Sequence, residues 1–409
     1  MTDGTLGIAA TAQARSSSPL RNFLLCFSHL RWDFVFQRPQ HLLSRAVRDF
    51  DVVFFEEPLF RPGITPRLKL RSTPEGVTVA VPLLSDGMQG VESIAAQRAL
   101  LDKLLAAKAK PPMVAWFYTP MALEFAAHLQ PNVLVYDCMD ELSNFRGAPP
   151  RMLEMERALL ARADLVFTGG RSLYEAKRTR HPRVSCFPSS VDTAHFAAAR
   201  ARQLEPADQA GIPHPRIGFF GVIDERMDLG LVDAVATARP DWSFVMVGPV
   251  VKVDYSALPQ LPNVHWLGVK QYAELPPYLA GWEAGFMPFA CNESTRFISP
   301  TKTPEFLAAG LPVVSTAITD VVRDWGPREK GGAGLVEIAD EPGAFAAALQ
   351  AALEQPRAIW LKQVDRRLAR LSWDQTWAEM RGLIVTTLRK TTRAPGSDDG
   401  TLVRDAESA

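Results

Sequence analysis

A short segment around residue 300 brings together the residue types that bind a diphosphate. Ser299, Thr301 and Thr303 carry hydroxyl groups, Lys302 carries an ammonium group, and Glu305 carries a carboxylate. If a helix starts here, its free backbone N–H groups add donors and the positive end of a dipole. Lys302 is then placed to neutralise a departing phosphate oxygen, and Glu305 to accept two ribose hydroxyl groups. The alternative for these two charged residues is an exposed ion pair, which contributes little.

The same segment predicts the elements that position these groups. Residues 286–321 follow the pattern strand, loop, helix, turn and strand. We expect the helix to begin near Pro304, because Pro suits a first turn and the three preceding hydroxyl residues can cap it. Gly310, followed by Pro312, should end the helix and lead into a strand over residues 312–316.

A second group of candidates follows a predicted strand over residues 132–138. Asp137 stands at the end of that strand and Asp140 just past it. Chemistry in parallel sheets gathers beyond the carboxyl ends of the strands, so both carboxylates are expected at the edge of a cleft. There a carboxylate can act as the base that removes a proton from a hydroxyl group. Asp140 is the first candidate and Asp137 the second, and the alternative is that both cap the next helix or bind loop backbone.

The first predicted strand covers residues 22–29. The end of this strand and the loop that follows it are unusually polar. Ser28 and Arg38 are candidates for binding a phosphate or an acidic acceptor, and His29 and Asp33 are alternative bases. The competing interpretation of Arg38 is a buried structural network. The sequence alone leaves both interpretations open.

Two series of short apolar runs, each interleaved with helical patterns, predict βαβ units around parallel sheets. The first series covers residues 22–29, 51–57, 113–118, 132–138, 164–170 and 184–190, and the second begins after a Pro- and Gly-containing stretch near residues 205–215. A groove between two such domains is a usual place for a ligand. We expect loose tails at 1–20 and 391–409, Rossmann-like domains at 21–205 and 211–371, and a terminal helix at 372–390. That helix should pack back on the N-terminal domain, through Trp373, Trp377, Met380 and Ile384.

Composition limits the class of protein. The chain has 409 residues, and its 45 Lys plus Arg equal its 45 Asp plus Glu, so no broad positive field for nucleic acid is expected. At 47% hydrophobic residues it is too apolar for a disordered chain. Its four cysteines lie far apart and suggest neither a zinc site nor a disulfide framework, which favours a cytoplasmic compartment. The sequence shows neither an export signal nor an apolar run long enough to span a membrane.

One strongly basic stretch, residues 61–72, stands out against this balanced total. It contains Arg61, Arg67, Lys69 and Arg71 without an acidic residue. Such a run is usually a solvated loop face. The alternative is peripheral contact with the inner face of the plasma membrane, where an anionic or lipid-linked acceptor would meet these charges.

The segment SPTKTPEFLAAGLPVVST, residues 299–316, resembles the donor-binding motif of GT-B nucleotide-sugar glycosyltransferases of the "glycosyl transferases group 1" type. The resemblance extends through residues 262–289 and 187–196. Residues 26–45 are similar to the opening strand, loop and helix of a subset that builds bacterial surface polysaccharides. In all, roughly residues 20–390 fit the family.

The resemblance implies roles for individual residues. It assigns Glu305 to the donor ribose and the backbone around Val269 to the donor base. It also places Gly221 and Arg226, which follow the first strand of the C-terminal domain, on the donor side. The chain departs from the family pattern at Phe297, where many members carry a second glutamate.

The sequence therefore predicts an α/β protein with two Rossmann-like domains facing across a cleft. The function implied is transfer of a sugar from a nucleotide diphosphate sugar to a hydroxyl of a glycan, lipid-linked or small-molecule acceptor. No cofactor and no metal are expected, because helix and side-chain positive charge would stabilise the diphosphate. A nucleotide-sugar epimerase of the same architecture and a non-catalytic binding protein remain alternatives at this stage.

Overall fold

The computed structural model describes residues 22–108 and 111–391. Within these ranges the chain forms two mainly parallel sheets covered by helices, which confirms the predicted pair of Rossmann-like units. The loose tails expected at 1–20 and 391–409 lie outside the described residues, apart from Thr391. No helix in the described ranges combines the length and apolarity needed to cross a bilayer.

The N-terminal sheet has the strand order β3-β5-β2-β1-β6-β7-β8-β9, with β4 paired antiparallel to β5 and every other pair parallel. Its strands are β1 (Asn22–Ser28), β2 (Phe50–Glu56), β3 (Leu59–Arg61), β4 (Arg67–Ser72), β5 (Thr78–Ser85), β6 (Val114–Phe117), β7 (Val133–Cys138), β8 (Leu165–Thr168) and β9 (Val184–Cys186). Helices cover both faces: α1 (Arg38–Ala46), α2 (Gly90–Lys108), α3 (Leu123–Ala126), α4 (Met152–Arg162) and α5 (Arg171–Lys177). The short helix α6 (Thr193–Ala197) instead packs on the C-terminal unit through Phe196. The central strands are nearly continuous apolar runs because neither face meets water.

The C-terminal sheet has the order β12-β11-β10-β13-β14-β15. Its strands are β10 (Arg216–Phe220), β11 (Ser243–Val247), β12 (Val264–Gly268), β13 (Ala284–Met287), β14 (Val313–Ser315) and β15 (Val336–Ile338). The helices that follow them are α7 (Leu229–Ala238), α8 (Leu275–Ala280), α9 (Lys302–Ala308), α10 (Thr319–Asp324), α11 (Pro342–Glu354) and α12 (Arg357–Leu368). In both sheets the strand order reverses beside the first strand, and ligands bind at such switch points beyond the carboxyl ends of the strands.

The last helix, α13 (Trp373–Thr391), packs against the N-terminal unit, as predicted. Trp373, Trp377, Met380 and Ile384 are all at most 3% exposed. They complete an apolar cluster formed by α1 and one face of the N-terminal sheet. Burial of each such side chain contributes roughly 1.5–3 kcal/mol.

Only residues 62–66 of the basic stretch at residues 61–72 form a loop, which corrects the sequence-based prediction. Its second half is strand β4, whose residues pair antiparallel with β5. Arg71 forms an ion pair with Asp33 at 2.5 Å, whereas Arg67 and Lys69 are exposed. Contact of this edge with a membrane stays a prediction.

Direct contacts join the two units across the cleft. The Ser189 hydroxyl donates to the backbone oxygen of Ser299 at 3.2 Å, which anchors the loop before α9 to the N-terminal unit. Near α10, the backbone N–H of Ser172 donates to the Asp320 carboxylate at 3.1 Å. The structure therefore shows the loop that carries the candidate diphosphate site in contact with both units.

Candidate active site

Helix α9 begins earlier than the sequence predicts and is not capped as expected. It starts at Lys302 rather than near Pro304, and the N-cap Thr301 makes no side-chain capping bond. Thr303 lies inside the helix, where its hydroxyl contacts the Met287 sulfur at 3.5 Å. The predicted capping by hydroxyl groups is therefore wrong.

The predicted end of α9 is confirmed. Gly310 has a φ of +81°, which a residue with a Cβ adopts only at a cost. Its N–H donates to the Leu307 oxygen and the Leu311 N–H to the Phe306 oxygen, each at 3.0 Å. These two bonds form a Schellman motif, which stops the helix so that the chain can enter β14.

Lys302 and Glu305 face each other one helical turn apart. The Lys302 Nζ donates to a Glu305 carboxylate oxygen at 2.7 Å and contacts the Thr301 hydroxyl at 3.3 Å. Glu305 is only 3% exposed, so the alternative of an exposed ion pair is wrong. Burial raises the pKa of Glu305 above its ordinary value, and the Lys302 ammonium opposes this rise. An ammonium group has three donors, so Lys302 retains one for a phosphate oxygen.

Three adjoining cavities follow the cleft. Cavity A, of about 440 Å3, is lined by Trp32, Phe34, Gly221, Val269, Tyr272 and Lys302, among others. Cavity B, of about 120 Å3, takes in most of the sequence-predicted residues: Arg38, Asp140, Gly221, Arg226, Ser299, Thr301 and Lys302. Cavity C, of about 530 Å3, is lined by His29, Phe34, Met139, Asp140, Phe145, Met152, Arg226 and Lys252, with others. Because they share lining residues, the cavities form one continuous path.

Cavity B lies between the two larger cavities and receives side chains from both units. Lys302 and Gly221 line both A and B, whereas Asp140 and Arg226 line both B and C. Lys302 comes from the C-terminal unit and Asp140 from the N-terminal unit. A cation and a carboxylate thus line the same small space, each next to a cavity large enough for a ligand of its own.

Gly221 is required by a close approach of three elements. It follows β10 directly and has a φ of +141°. A Cβ at this position would lie 3.1 Å from Cε of Lys302. The adjacent Gly248 is tighter still, since its Cβ would lie 1.8 Å from the Gly221 carbonyl oxygen. The glycines therefore allow the Lys302 stem to lie against the end of β10.

Arg226 lines cavities B and C, but its charge is already partnered. Its guanidinium donates bidentate hydrogen bonds to the Asp224 carboxylate, the shorter at 2.7 Å. The guanidinium also lies 5.5 Å from the centre of the Phe145 ring, which belongs to the other unit. Asp228, two residues further along the chain, caps α7 by accepting from the Leu231 N–H at 2.9 Å.

Arg38 and Asp137 form a buried structural pair, which decides between the two interpretations of Arg38. The guanidinium donates to both Asp137 oxygens, at 2.9 and 3.1 Å, and to the Phe187 carbonyl at 2.8 Å. Arg38 is 2% exposed and Asp137 is 0% exposed. Asp137 therefore does not reach a cavity as a base, and its role is to hold Arg38 at the wall of cavity B.

Ser28 is not brought to the cleft, contrary to the sequence-based expectation. Its hydroxyl accepts from the Leu30 N–H at 3.0 Å and lines a separate cavity within the N-terminal unit. Of the alternative bases, Asp33 lines cavity A rather than B and is held by Arg71. His29 lines cavity C, but burial, with the Lys252 charge second, lowers its pKa to about 4. An imidazole of such low pKa is a weak proton acceptor.

Asp140 has the environment expected of a base. Burial raises its pKa to about 6; the Arg226 guanidinium opposes the rise, and the Asp224 carboxylate adds to it. A base is most effective when its pKa lies near the working pH, because it is then ionised yet still basic. Its side chain makes no hydrogen bond to another described residue, so the alternative that it caps the next helix is not observed.

Two functional candidates were missed by the sequence analysis. Asp224 controls both the orientation of Arg226 and the pKa of Asp140, although it lies far from Asp140 in the chain. Lys252 has a φ of +59°, the one positive value among non-glycine residues of the described ranges. Its ammonium lies 6.0 Å from the Phe145 ring centre, across the cleft. The positive φ is the feature that distinguishes Lys252 from other surface lysines, and the sequence around it does not predict this backbone conformation.

Two doubly wound sheets across a cleft, with the last helix returning to the first unit, define the GT-B fold. The chain shares this fold with the solved structure of sucrose-phosphate synthase from Thermosynechococcus elongatus, with a TM-score of 0.67. The two are 15% identical, and the match covers 90% of this chain and 100% of the synthase chain. Anabaena HepE, solved with UDP and glucose, gives a TM-score of 0.64 at 15% identity over 90% and 100%.

Sequence comparison agrees with the fold. Residues 214–355 match the family described as Glycosyl transferases group 1. The chain is 29% identical over 290 residues to TuaH of Bacillus subtilis (strain 168), named as a glycosyltransferase of teichuronic acid biosynthesis, covering 66% of this chain and 71% of that protein. The protein is therefore a sugar-transferring enzyme with the GT-B fold, and residues 214–355 of its C-terminal unit match the Glycosyl transferases group 1 family.

Proposed function

We propose that the enzyme transfers a sugar from a nucleotide diphosphate sugar in cavity A to an acceptor hydroxyl in cavity C. The observation that carries this proposal is that Lys302 and Asp140 line the same small cavity B from opposite units. Lys302 and the start of α9 would stabilise the departing diphosphate, while Asp140 removes the acceptor proton. The glycosidic bond would then form in cavity B, between Lys302 and Asp140.

The donor-side assignments extend this proposal. Val269 is 54% exposed at the wall of cavity A, where its backbone can meet the base. Ser299 and Thr301 would bind phosphate oxygens in cavity B. Glu305 lines neither cavity A nor B and lies behind Lys302, so its contact with the ribose requires Lys302 to turn toward the phosphates.

We propose a glycan of a bacterial surface polysaccharide as the acceptor. The support comes from the likeness to TuaH, whose name places it in teichuronic acid biosynthesis. Cavity C, at about 530 Å3, has room for one or two sugar rings beside Asp140. An epimerase needs no acceptor and therefore no second cavity. The presence of cavity C thus favours transfer over epimerisation.

Donor binding tests the proposal most directly. A screen of UDP-, GDP- and dTDP-sugars by thermal shift should identify one that stabilises the protein and is consumed only when an acceptor is present. The Glu305→Gln variant should bind that donor roughly 10- to 150-fold more weakly, because the lost charge-assisted hydrogen bonds contribute about 1.5–3 kcal/mol. Isothermal titration would measure the dissociation constants.

Glu92→Gln, on the exposed surface of α2, is the matched control and should bind the donor like wild type. If Glu305→Gln also bound the donor like wild type, the ribose assignment would be wrong. Consumption of the donor to an epimeric sugar without any acceptor would overturn the proposed transfer reaction.

The pH dependence of transfer should report the ionisation of Asp140. The base must be deprotonated, and its pKa is raised to about 6, so kcat/KM should be level above that pH and fall as the pH drops through it. Each pH unit below the inflection should lower the rate about tenfold.

The Asp224→Asn variant provides a matched test of this inflection. Removal of the neighbouring carboxylate should move the inflection to lower pH, because Asp224 helps to raise the pKa of Asp140. An inflection near pH 6 that persisted unchanged in both Asp140→Asn and Asp224→Asn would assign it to another group.

A further inference from the structure

A cluster of four arginines surrounds a cavity on the C-terminal unit that has no part in the reaction described above. This arginine cavity has a volume of about 460 Å3 and is lined by Arg328, Arg366, Arg367, Arg370, Gln363, Ala333 and Leu335. It shares no lining residue with cavities A, B and C. Its lining contains no Asp or Glu, although the chain as a whole carries equal numbers of acidic and basic residues.

Helix α12 and the turn that follows it contribute three of the four arginines at a spacing that places them together. Counted from Gln363, the residues Arg366, Arg367 and Arg370 occupy positions i+3, i+4 and i+7, which share one face of a helix. Arg366 and Arg367 lie in the last turn of α12, which ends at Leu368, and Arg370 lies in the turn just beyond it, so three like charges meet at the carboxyl end of this helix. The nearby Asp365 does not offset them, because it pairs with Arg200 at 2.7 Å.

The fourth arginine comes from a tight glycine-rich loop between α10 and β15. Gly331 and Gly334 both have positive φ, at +85° and +69°. A Cβ on Gly334 would lie 3.0 Å from the Arg328 side chain, so glycine lets that side chain lie flat against the loop. A guanidinium nitrogen of Arg328 then donates to the Gln363 side-chain oxygen at 3.1 Å, which joins the loop to α12.

The four guanidinium groups are uncompensated by direct ion pairs. Within residues 22–108 and 111–391, none of them forms an ion pair of 4.0 Å or less, although Arg367 is close enough to Asp324 for its charge to oppose the rise in the pKa of that carboxyl group. Arg367 lies over the Trp325 ring, 5.4 Å from its centre, which orients it at the cavity wall. The arginines of the active site behave differently, since Arg38 and Arg226 each hold an aspartate.

We propose that the arginine cavity binds a sugar-sized ligand that carries two or more phosphate or carboxylate groups. Planar guanidinium groups recognise both anions through paired hydrogen bonds, and four of them converge on one cavity. The volume lies in the range of small-molecule sites. Binding of such an anion would offset the mutual repulsion of the four guanidinium groups around the cavity.

Equilibrium binding to the full-length chain tests this site. The probes are fructose 1,6-bisphosphate and the sugar diacid glucarate, with fructose and glucitol as their uncharged counterparts, measured by isothermal titration at fixed ionic strength. At least one charged probe should bind and neither uncharged one should. The probe that binds identifies phosphate or carboxylate as the preferred anion.

Variants locate the binding. The double variant Arg366→Gln/Arg370→Gln should weaken binding at least tenfold while keeping the thermal melting point, because both side chains are exposed. Lys362→Gln, on the same helix but outside the cavity lining, should leave binding unchanged. Lys302→Met should also leave it unchanged, since Lys302 belongs to the cleft.

Three results would overturn the proposal. Binding of neither charged probe would do so, as would binding lost in Lys302→Met, measured below the melting temperature of that variant, but retained in the double arginine variant, which would place the anion in the cleft. An equal loss in Lys362→Gln and the double variant would show general charge attraction rather than a site.

Discussion

Replacing Asp140 with asparagine is expected to lower kcat by roughly 100- to 10,000-fold, the range by which a positioned base accelerates proton transfer. Asparagine has nearly the same shape but cannot accept the acceptor proton. Donor affinity should stay within about twofold of wild type, because Asp140 lies on the acceptor side of cavity B. Steady-state kinetics together with donor titration would separate the two effects.

Asp33→Asn serves as the control for this experiment. Asp33 is an exposed carboxylate at the rim of cavity A, so its replacement should leave kcat nearly unchanged. If Asp140→Asn transferred sugar at the wild-type rate, the acceptor proton would have to go to another group. A large loss in Asp33→Asn would point to that aspartate instead.

Replacing Lys302 with methionine is expected to lower kcat by roughly 100- to 1,000-fold, as loss of one group that stabilises developing charge does elsewhere. The methionine keeps the aliphatic stem beside Gly221 but cannot neutralise the departing diphosphate. The same change leaves Glu305 buried without its partner, which costs about 3–5 kcal/mol of folding free energy. Kinetics and thermal melting should therefore both change.

The double variant Lys302→Met/Glu305→Gln separates catalysis from folding. It removes both charges of the buried pair, so most of the lost stability should return, whereas transfer should remain slow. Recovery of kcat in the double variant would show that the single variant failed through misfolding. The diphosphate role of Lys302 would then be withdrawn.

The sequence predicted the parts of the fold that depend on local pattern. Gly310 marked the end of α9 correctly, because a left-handed residue after a helix is strongly selected for glycine. The stripe on α13 predicted its packing, because helical spacing of four large apolar residues leaves one face to bury. The start of α9 lies two residues before the predicted position, and the Thr303 hydroxyl contacts the Met287 sulfur of a neighbouring strand instead of capping the helix.

The parts of the site that escaped prediction depend on contacts between distant segments. Arg38 and Asp137 are 99 residues apart, and nothing in either local sequence shows that they form a buried pair. The same holds for Asp224 and its influence on Asp140. The strand β4 was taken for a loop because its charges outnumber its apolar residues, as an edge strand allows.

The return of α13 to the N-terminal unit has a consequence for the order in which the protein folds. Synthesis reaches the end of β9 at Cys186, but Trp373 emerges only after the whole C-terminal unit. At the usual speed of translation this gap lasts roughly 10–40 seconds. During that interval the apolar surface of the N-terminal unit against which α13 packs is uncovered. The first unit to be made is therefore the last to be completed. Chaperones that shield apolar surfaces on nascent chains would bind this surface during that interval.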